Sequence, residues 1–172
     1  MKKIISLVIA IIIVNFTYSQ STNELDKKNG INKFKLGTSY EVYKKDLTFI
    51  MTTKETGCKM YKYTGPNIVV LLGSIYEEIS LLFYKQKLYS INIYYTNLLD
   101  PDGIKIRKRL TVLFGQPKSV NLDNFDWAYR WTGEKVILGW DKVSCNSDYK
   151  PCVHMAWVTS QAIRREVEGG EF

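Results

Sequence analysis

Two of the three cysteines and the single histidine of this 172-residue chain fall within SCNSDYKPCVHMAW, residues 144–157. Thiols and an imidazole that close could make a metal site, a nucleophile with its base, or a disulfide. A structural zinc site needs four ligands, usually with two to four residues between paired cysteines. Here six residues lie between Cys145 and Cys152, and there is no second histidine. Thiol catalysis needs the imidazole within hydrogen-bond reach of the sulfur. His154 follows Cys152 by two residues, which puts both on one strand face without aiming either at the other. The flanks KVILGWDKVSC and CVHMAWVTS alternate as strands do, and NSDYKP between them is rich in turn formers. A register with Cys145 opposite Cys152, Asp141 opposite Ala156 and Trp140 across from Trp157 sets the sulfurs at a distance that a disulfide bridges. The expected chemistry is therefore a Cys145–Cys152 staple, contributing about 2–3 kcal/mol by restricting the unfolded chain, with no metal. Cys58 is expected to remain a buried free thiol at the start of a strand.

A lasting disulfide needs an oxidising compartment, and the N-terminus supplies the route to one. Met1-Lys2-Lys3, the apolar run IISLVIAIIIV and Thr17-Tyr18-Ser19 follow the order of a secretory signal. The run is shorter than the roughly 20 residues a bilayer span requires. Residues 1–19 are expected to be removed, leaving a mature chain from Gln20, a flexible lead over 20–33 and no stable membrane insertion. The location is then periplasmic or extracellular. The formal charge of +7 falls to +5 when Lys2 and Lys3 leave with the signal. That excess is dispersed through DKKNGINKFK, YKKD, KIRKR and IRRE. Scattered charge on an exported protein argues against nucleic acid as a partner and for weak attraction to anionic envelope surfaces.

FDWAYRWTG is the second constellation. Phe125, Trp127, Tyr129 and Trp131 alternate, so they share one strand face, while Asp126, Ala128, Arg130 and Thr132 take the other. Trp127, Tyr129 and Trp131 form a candidate binding face, since such rings stack on sugars or hold peptides. The same rings would equally serve as a core face beneath a helix. Glu77 and Glu78 point to opposite sides of a strand and cannot flank a glycosidic bond. NLDNFD and LDPDG carry too few oxygens at the required offsets for a calcium loop. No catalytic set emerges, so the chain is expected not to be an enzyme and to need no cofactor.

These residues must be positioned by a helix followed by strands, stated twice. Thr38-Ser39-Tyr40-Glu41 has capping-box form and predicts a helix over 39–49. Strands follow at 58–64 and 67–72, then in IYEEISLLFY and LYSINIYY, joined as a hairpin. In the second statement Asp100 is expected to cap a helix with Pro101 at its first position. Ile106, Leu110 and Leu113 form its stripe, and Gly115 and Pro117 end it. Strands are expected at 118–122, 125–132, 134–144 and 152–159, then a short helix from Ser160 carrying Ile163 and Val167. The fold class is α+β: antiparallel sheet built from two helix-then-strands units with helices on one face. One domain spans 34–168, in halves 34–99 and 100–168, with a tail at 169–172.

In INKFKLGTSYEVYKKDL, Leu36 and Gly37 precede a hydroxyl-capped helix carrying Val42 and Leu47, and IRKRLTVLFGQP ends a helix in glycine-x-proline. These stretches resemble the small outer-membrane assembly lipoproteins of the BamE type and other exported proteins built on a helix-then-antiparallel-strands unit. The resemblance implies that unit, here duplicated. With export, the expected function is a non-enzymatic envelope protein that binds a protein or peptide partner through a sheet face or edge. The alternative is an inhibitor or immunity protein against a secreted enzyme, presenting loop 146–151. A hydrolase would need an acid–base or nucleophile set that the sequence does not supply.

Overall fold

In the computed structural model, which describes residues 23–54, 56–66, 72–96, 98–143 and 153–169, the chain opens with helical residues 23–28 (α1). A two-stranded ribbon follows, Gly30–Ile31 (β1) against Phe34–Lys35 (β2). The expectation of a flexible lead over 20–33 fails for its described part. Leu25, Ile31 and Phe34 are buried in the main core, and apolar side chains with such a site available do not stay in water.

Ser39 accepts a hydrogen bond from the Glu41 N–H (3.4 Å) and starts a helix that covers only Tyr40–Tyr43 (α2), continued by a 3-10 turn at Lys44–Asp46. The helix expected to reach residue 49 stops here. Leu47–Thr52 (β3) instead pairs with Lys59–Tyr63 (β4). LTFIMT is aromatic and β-branched, and an available strand partner outweighs a weak helical preference. Of the strand expected at 67–72, residues 67–71 lie outside the described residues and Leu72 sits in a turn. Glu78–Tyr84 (β5) and Lys87–Tyr95 (β6) form the expected hairpin. Its two connecting residues, Lys85 and Gln86, both have positive φ (46° and 67°), matching the right-handed twist of the flanking strands.

Asp100–Phe114 (α3) begins one residue earlier than expected. Leu99 holds the cap position without a side-chain hydrogen bond, and the Asp100 carboxylate is engaged instead by Lys142 (2.9 Å). Ile106, Leu110 and Phe114 form the buried stripe, while Leu113, expected on it, is 46% exposed. Lys118–Val120 (β7), Phe125–Thr132 (β8), Val136–Val143 (β9) and His154–Ser160 (β10) follow. Gln161–Glu168 (α4) closes the described chain, and the Ser160 hydroxyl accepts from the Ile163 N–H (3.3 Å) as expected of a cap.

The eight strands β3 to β10 form one antiparallel sheet in the order β3-β4-β5-β6-β10-β9-β8-β7. Two four-stranded meanders thus meet through their last strands, β6 against β10. The architecture is α+β with a large antiparallel sheet. The core lies on one face, where Leu25, Phe34 and Tyr43 join Ile106 and Leu110 over Ile79, Leu81, Ile93, Leu138 and Val158. Not every helix is on that face. Arg164 and Glu168 of α4 border a groove on the opposite side, beside Ser90, Asn92 and Thr159.

Candidate binding face

The β9–β10 register decides which face each ring occupies. Trp140 pairs with Ala156, Gly139 with Trp157 and Asp141 with Met155, one residue away from the pairing that would set Cys145 opposite Cys152. Gly139 is the physical reason. A Cβ there would lie 2.1 Å from Trp157 Cε2, so only glycine leaves room for that indole across the strand. A slip of one residue would also carry Trp140 out of the core. Cys145 and Cys152 lie outside the described residues. Cys58 is a buried free thiol.

In this register Trp127, Tyr129 and Trp131 of β8 share a face with Lys142, Trp140 and Leu138 of β9, and that is the face α3 covers. The candidate binding face is therefore a core face. Trp131 is buried and donates Nε1–H to the Gly115 carbonyl (2.7 Å). Tyr129 accepts a hydrogen bond from Arg107 (2.5 Å), whose guanidinium lies 4.8 Å over its ring. Trp127 packs against Tyr129, Trp140 and His154 at 5.5–5.8 Å between ring centroids. Phe125 leaves the series, because the register shifts between Phe125 and Trp127 and Phe125 pairs with Val143.

His154 lies fully buried in this layer, stacked on Trp140 (5.8 Å, 19°). The first turn of α3 rests on it so closely that a Cβ at Gly103 would be 3.1 Å from Nε2. Both imidazole nitrogens and Trp140 Nε1 lack hydrogen-bond partners among the described residues. Nearby, the Lys142 ammonium bridges Asp100 (2.9 Å) and Asp126 (3.1 Å), and Asp100 Oδ1 is 3.8 Å from His154 Nε2. Burial first, and the Lys142 charge second, hold the imidazole below the usual histidine range, against the opposing pull of Asp100 and Asp126.

The opposite face carries a different assembly. Strand pairing sets Arg130, Gly139, Trp157, Asn92 and Ser80 in one row across β8, β9, β10, β6 and β5. The Trp157 indole lies over Gly139, and the Arg130 guanidinium stacks 4.6 Å from it. Asp141, in the adjacent row, ties both down. It accepts Trp157 Nε1–H at 2.7 Å and forms an ion pair with Arg130. The two charged side chains are only 16% and 2% exposed, so the pair is shielded from water and the guanidinium is held flat. Ser90 and Thr159 hydroxyls hydrogen-bond each other at 2.9 Å beside the stack. Arg130, Trp157, Asn92, Ser90 and Thr159 floor a groove of about 480 Å³, with Asp141 buried beneath, bordered by Leu82, Met155 and Leu122 and by Arg164 and Glu168.

Sequence reasoning missed this site because Arg130, Asp141 and Trp157 come from three strands and meet only through register. A glycine inside the apolar strand VILGW was the available signal, since such a glycine marks a close approach. Chemically the groove offers a neutralised planar cation, hydroxyls, an amide and apolar walls, which suit recognition. Among the described residues no three His, Cys, Asp or Glu side chains cluster closely enough to hold a metal ion, and no helix is long and apolar enough to cross a membrane. Set beside known proteins, the chain matches no family model, no curated protein and no solved structure.

Proposed function

We propose that the protein is an exported, non-enzymatic binding protein of the cell envelope that takes a protein or peptide partner on the sheet face opposite α3. The observation that carries this reading is the Arg130–Trp157 stack on the floor of the groove, tied down by the buried Asp141 carboxylate. Tryptophan and arginine anchor most strongly at protein interfaces, and groups already fixed before binding lose little entropy when a partner arrives. From β5 to β7 the groove crosses five strand spacings, roughly 24 Å, room for an extended segment or a projecting loop. A duplicated origin for the two halves is part of the proposal. The mirrored strand order supports it, as does the resemblance of both helix regions to one envelope-protein unit. So too is a Cys145–Cys152 disulfide, favoured by export and by the short span between the two thiols.

A photo-crosslinking residue at Asn92, within the groove, tests the site. Exposed to envelope extract, the exported protein should form one adduct that disappears with Trp157→Ala and persists with Val112→Ser, a change on the exposed side of α3. An adduct indifferent to Trp157→Ala would refute the assignment.

A further inference from the structure

The two edges of the sheet are built differently. β7 is three residues long and opens with Lys118, the short, charged form that discourages edge pairing. β3 is six residues long, carries no charged side chain, and leaves Phe49, Ile50 and Met51 exposed by 55%, 43% and 46%. Phe49 is held outward from below. Phe49 rests edge-on against Tyr61 (5.5 Å, 70°), Tyr61 against Phe83 (5.7 Å, 83°), and Phe83 is buried. An aromatic chain therefore runs from the core to the surface and ends in water.

Lysines surround this ridge. Lys44 and Lys62 are paired with Glu41 (3.2 Å) and Glu78 (2.9 Å). Lys45, Lys54 and Lys59 are exposed and make no ion pair among the described residues. Exposed apolar side chains flanked by three unpaired cations match the boundary of an anionic bilayer, where acyl chains lie beneath phosphates. Strand addition by a peptide or a second copy suits this edge less well. The β3–β4 register shifts between Phe49 and Met51, and such a bulge turns an edge away from a regular partner.

We propose that the β3–β4 edge docks the protein on an anionic phospholipid surface, with Phe49, Ile50 and Met51 entering the headgroup layer and Lys45, Lys54 and Lys59 meeting phosphates. The surface is distinct from the groove, so the two sites are separately testable. A basic side chain close to such a membrane strengthens adsorption by about fivefold, and the three together by roughly a hundredfold. Adsorption should weaken steeply with salt as those charges are screened.

Sedimentation of the exported protein, its N-terminus verified by mass, with phosphatidylcholine vesicles tests this. Half the vesicles carry about one-third phosphatidylglycerol, in keeping with the anionic-surface requirement. The protein should pellet with the anionic vesicles at low salt and stay in solution with neutral ones. Phe49→Ser/Ile50→Ser and Lys54→Glu/Lys59→Glu should each reduce anionic binding at least about tenfold. Thermal unfolding of both variants confirms that they fold, and Trp157→Ala should bind vesicles like wild type. A wild-type protein that ignores anionic vesicles, that binds both kinds equally, or whose binding survives both double substitutions overturns the proposal. So does self-association through β3 in place of vesicle binding.

Discussion

Protonating His154 means placing a positive charge on a fully buried ring, and beside the Lys142 ammonium. The folded chain therefore resists a proton that the unfolded chain accepts near pH 6.5, the ordinary histidine value. Stability should be flat above that pH and fall as pH drops through it, by up to about 1.4 kcal/mol per pH unit. Asp100, whose carboxyl Lys142 holds below its usual range, titrates lower and leaves the window from about pH 5 to 6.5 to the histidine. Urea unfolding at several pH values across that window measures the slope, and His154→Leu should flatten it; an unchanged slope would assign the effect elsewhere. On the other face, Asp141→Ala strands the Arg130 guanidinium beneath its neighbours without a counter-charge. The expected loss is about 3–5 kcal/mol, whereas replacing both partners by apolar residues, as in Arg130→Met/Asp141→Leu, should cost less.

Within the strands, Gly139 and Trp157 act as one unit. Gly139→Ala forces a methyl into an indole that Asp141 and Arg130 hold in place, at an expected cost of about 1–3 kcal/mol. In a Trp157→Ala background the same change should be nearly neutral, a coupling that a double-mutant cycle reads directly. In α3, Leu110→Ala empties a buried site and should cost about 2–5 kcal/mol by urea unfolding. The contrast between α3 and α2 shows which elements the sequence made legible. α3 carries its stripe, its proline near the start and its terminal glycine within one contiguous stretch, so local pattern was enough. α2 opens on a capping signal too, but β4 is there to pair with the LTFIMT that follows it, and pairing prevailed. Register was illegible for a similar reason: alternation assigns faces within a strand and is silent on which residue stands opposite. The aromatic face of β8 was correctly grouped from Trp127 to Trp131. That α3 would cover it could not be read from β8 alone, and the groove on the reverse side emerged only when three strands were aligned.

Across the whole molecule, the N-terminal segment acts as a strap. Asp26 accepts hydrogen bonds from the backbone N–H groups of Glu134 (2.7 Å), Lys135 (2.9 Å) and Val136 (3.0 Å), more than a hundred residues away. Asp26→Ala should lower stability by about 2 kcal/mol, since it leaves the β8–β9 turn without the carboxylate that satisfies it. A chain beginning at residue 34 loses Leu25 and Ile31 from the core as well and should melt lower still.

The meeting of β6 with β10 also sets an order of events for a chain that emerges N-terminus first. Strands β3 to β6 can assemble while later residues are still being made, but the β6 edge, with Ile91 and Ile93 beside it, stays open until His154–Ser160 arrives. The strand that completes the sheet is late in the chain yet sits at its centre. A product stopped short of His154 therefore loses the seam that joins the two meanders and leaves β6 and β9 with open edges that β10 covers in the full chain. Completeness of synthesis is checked by the architecture itself, and a nascent chain held before that seam forms is the species on which a holding chaperone or a quality-control protease would act.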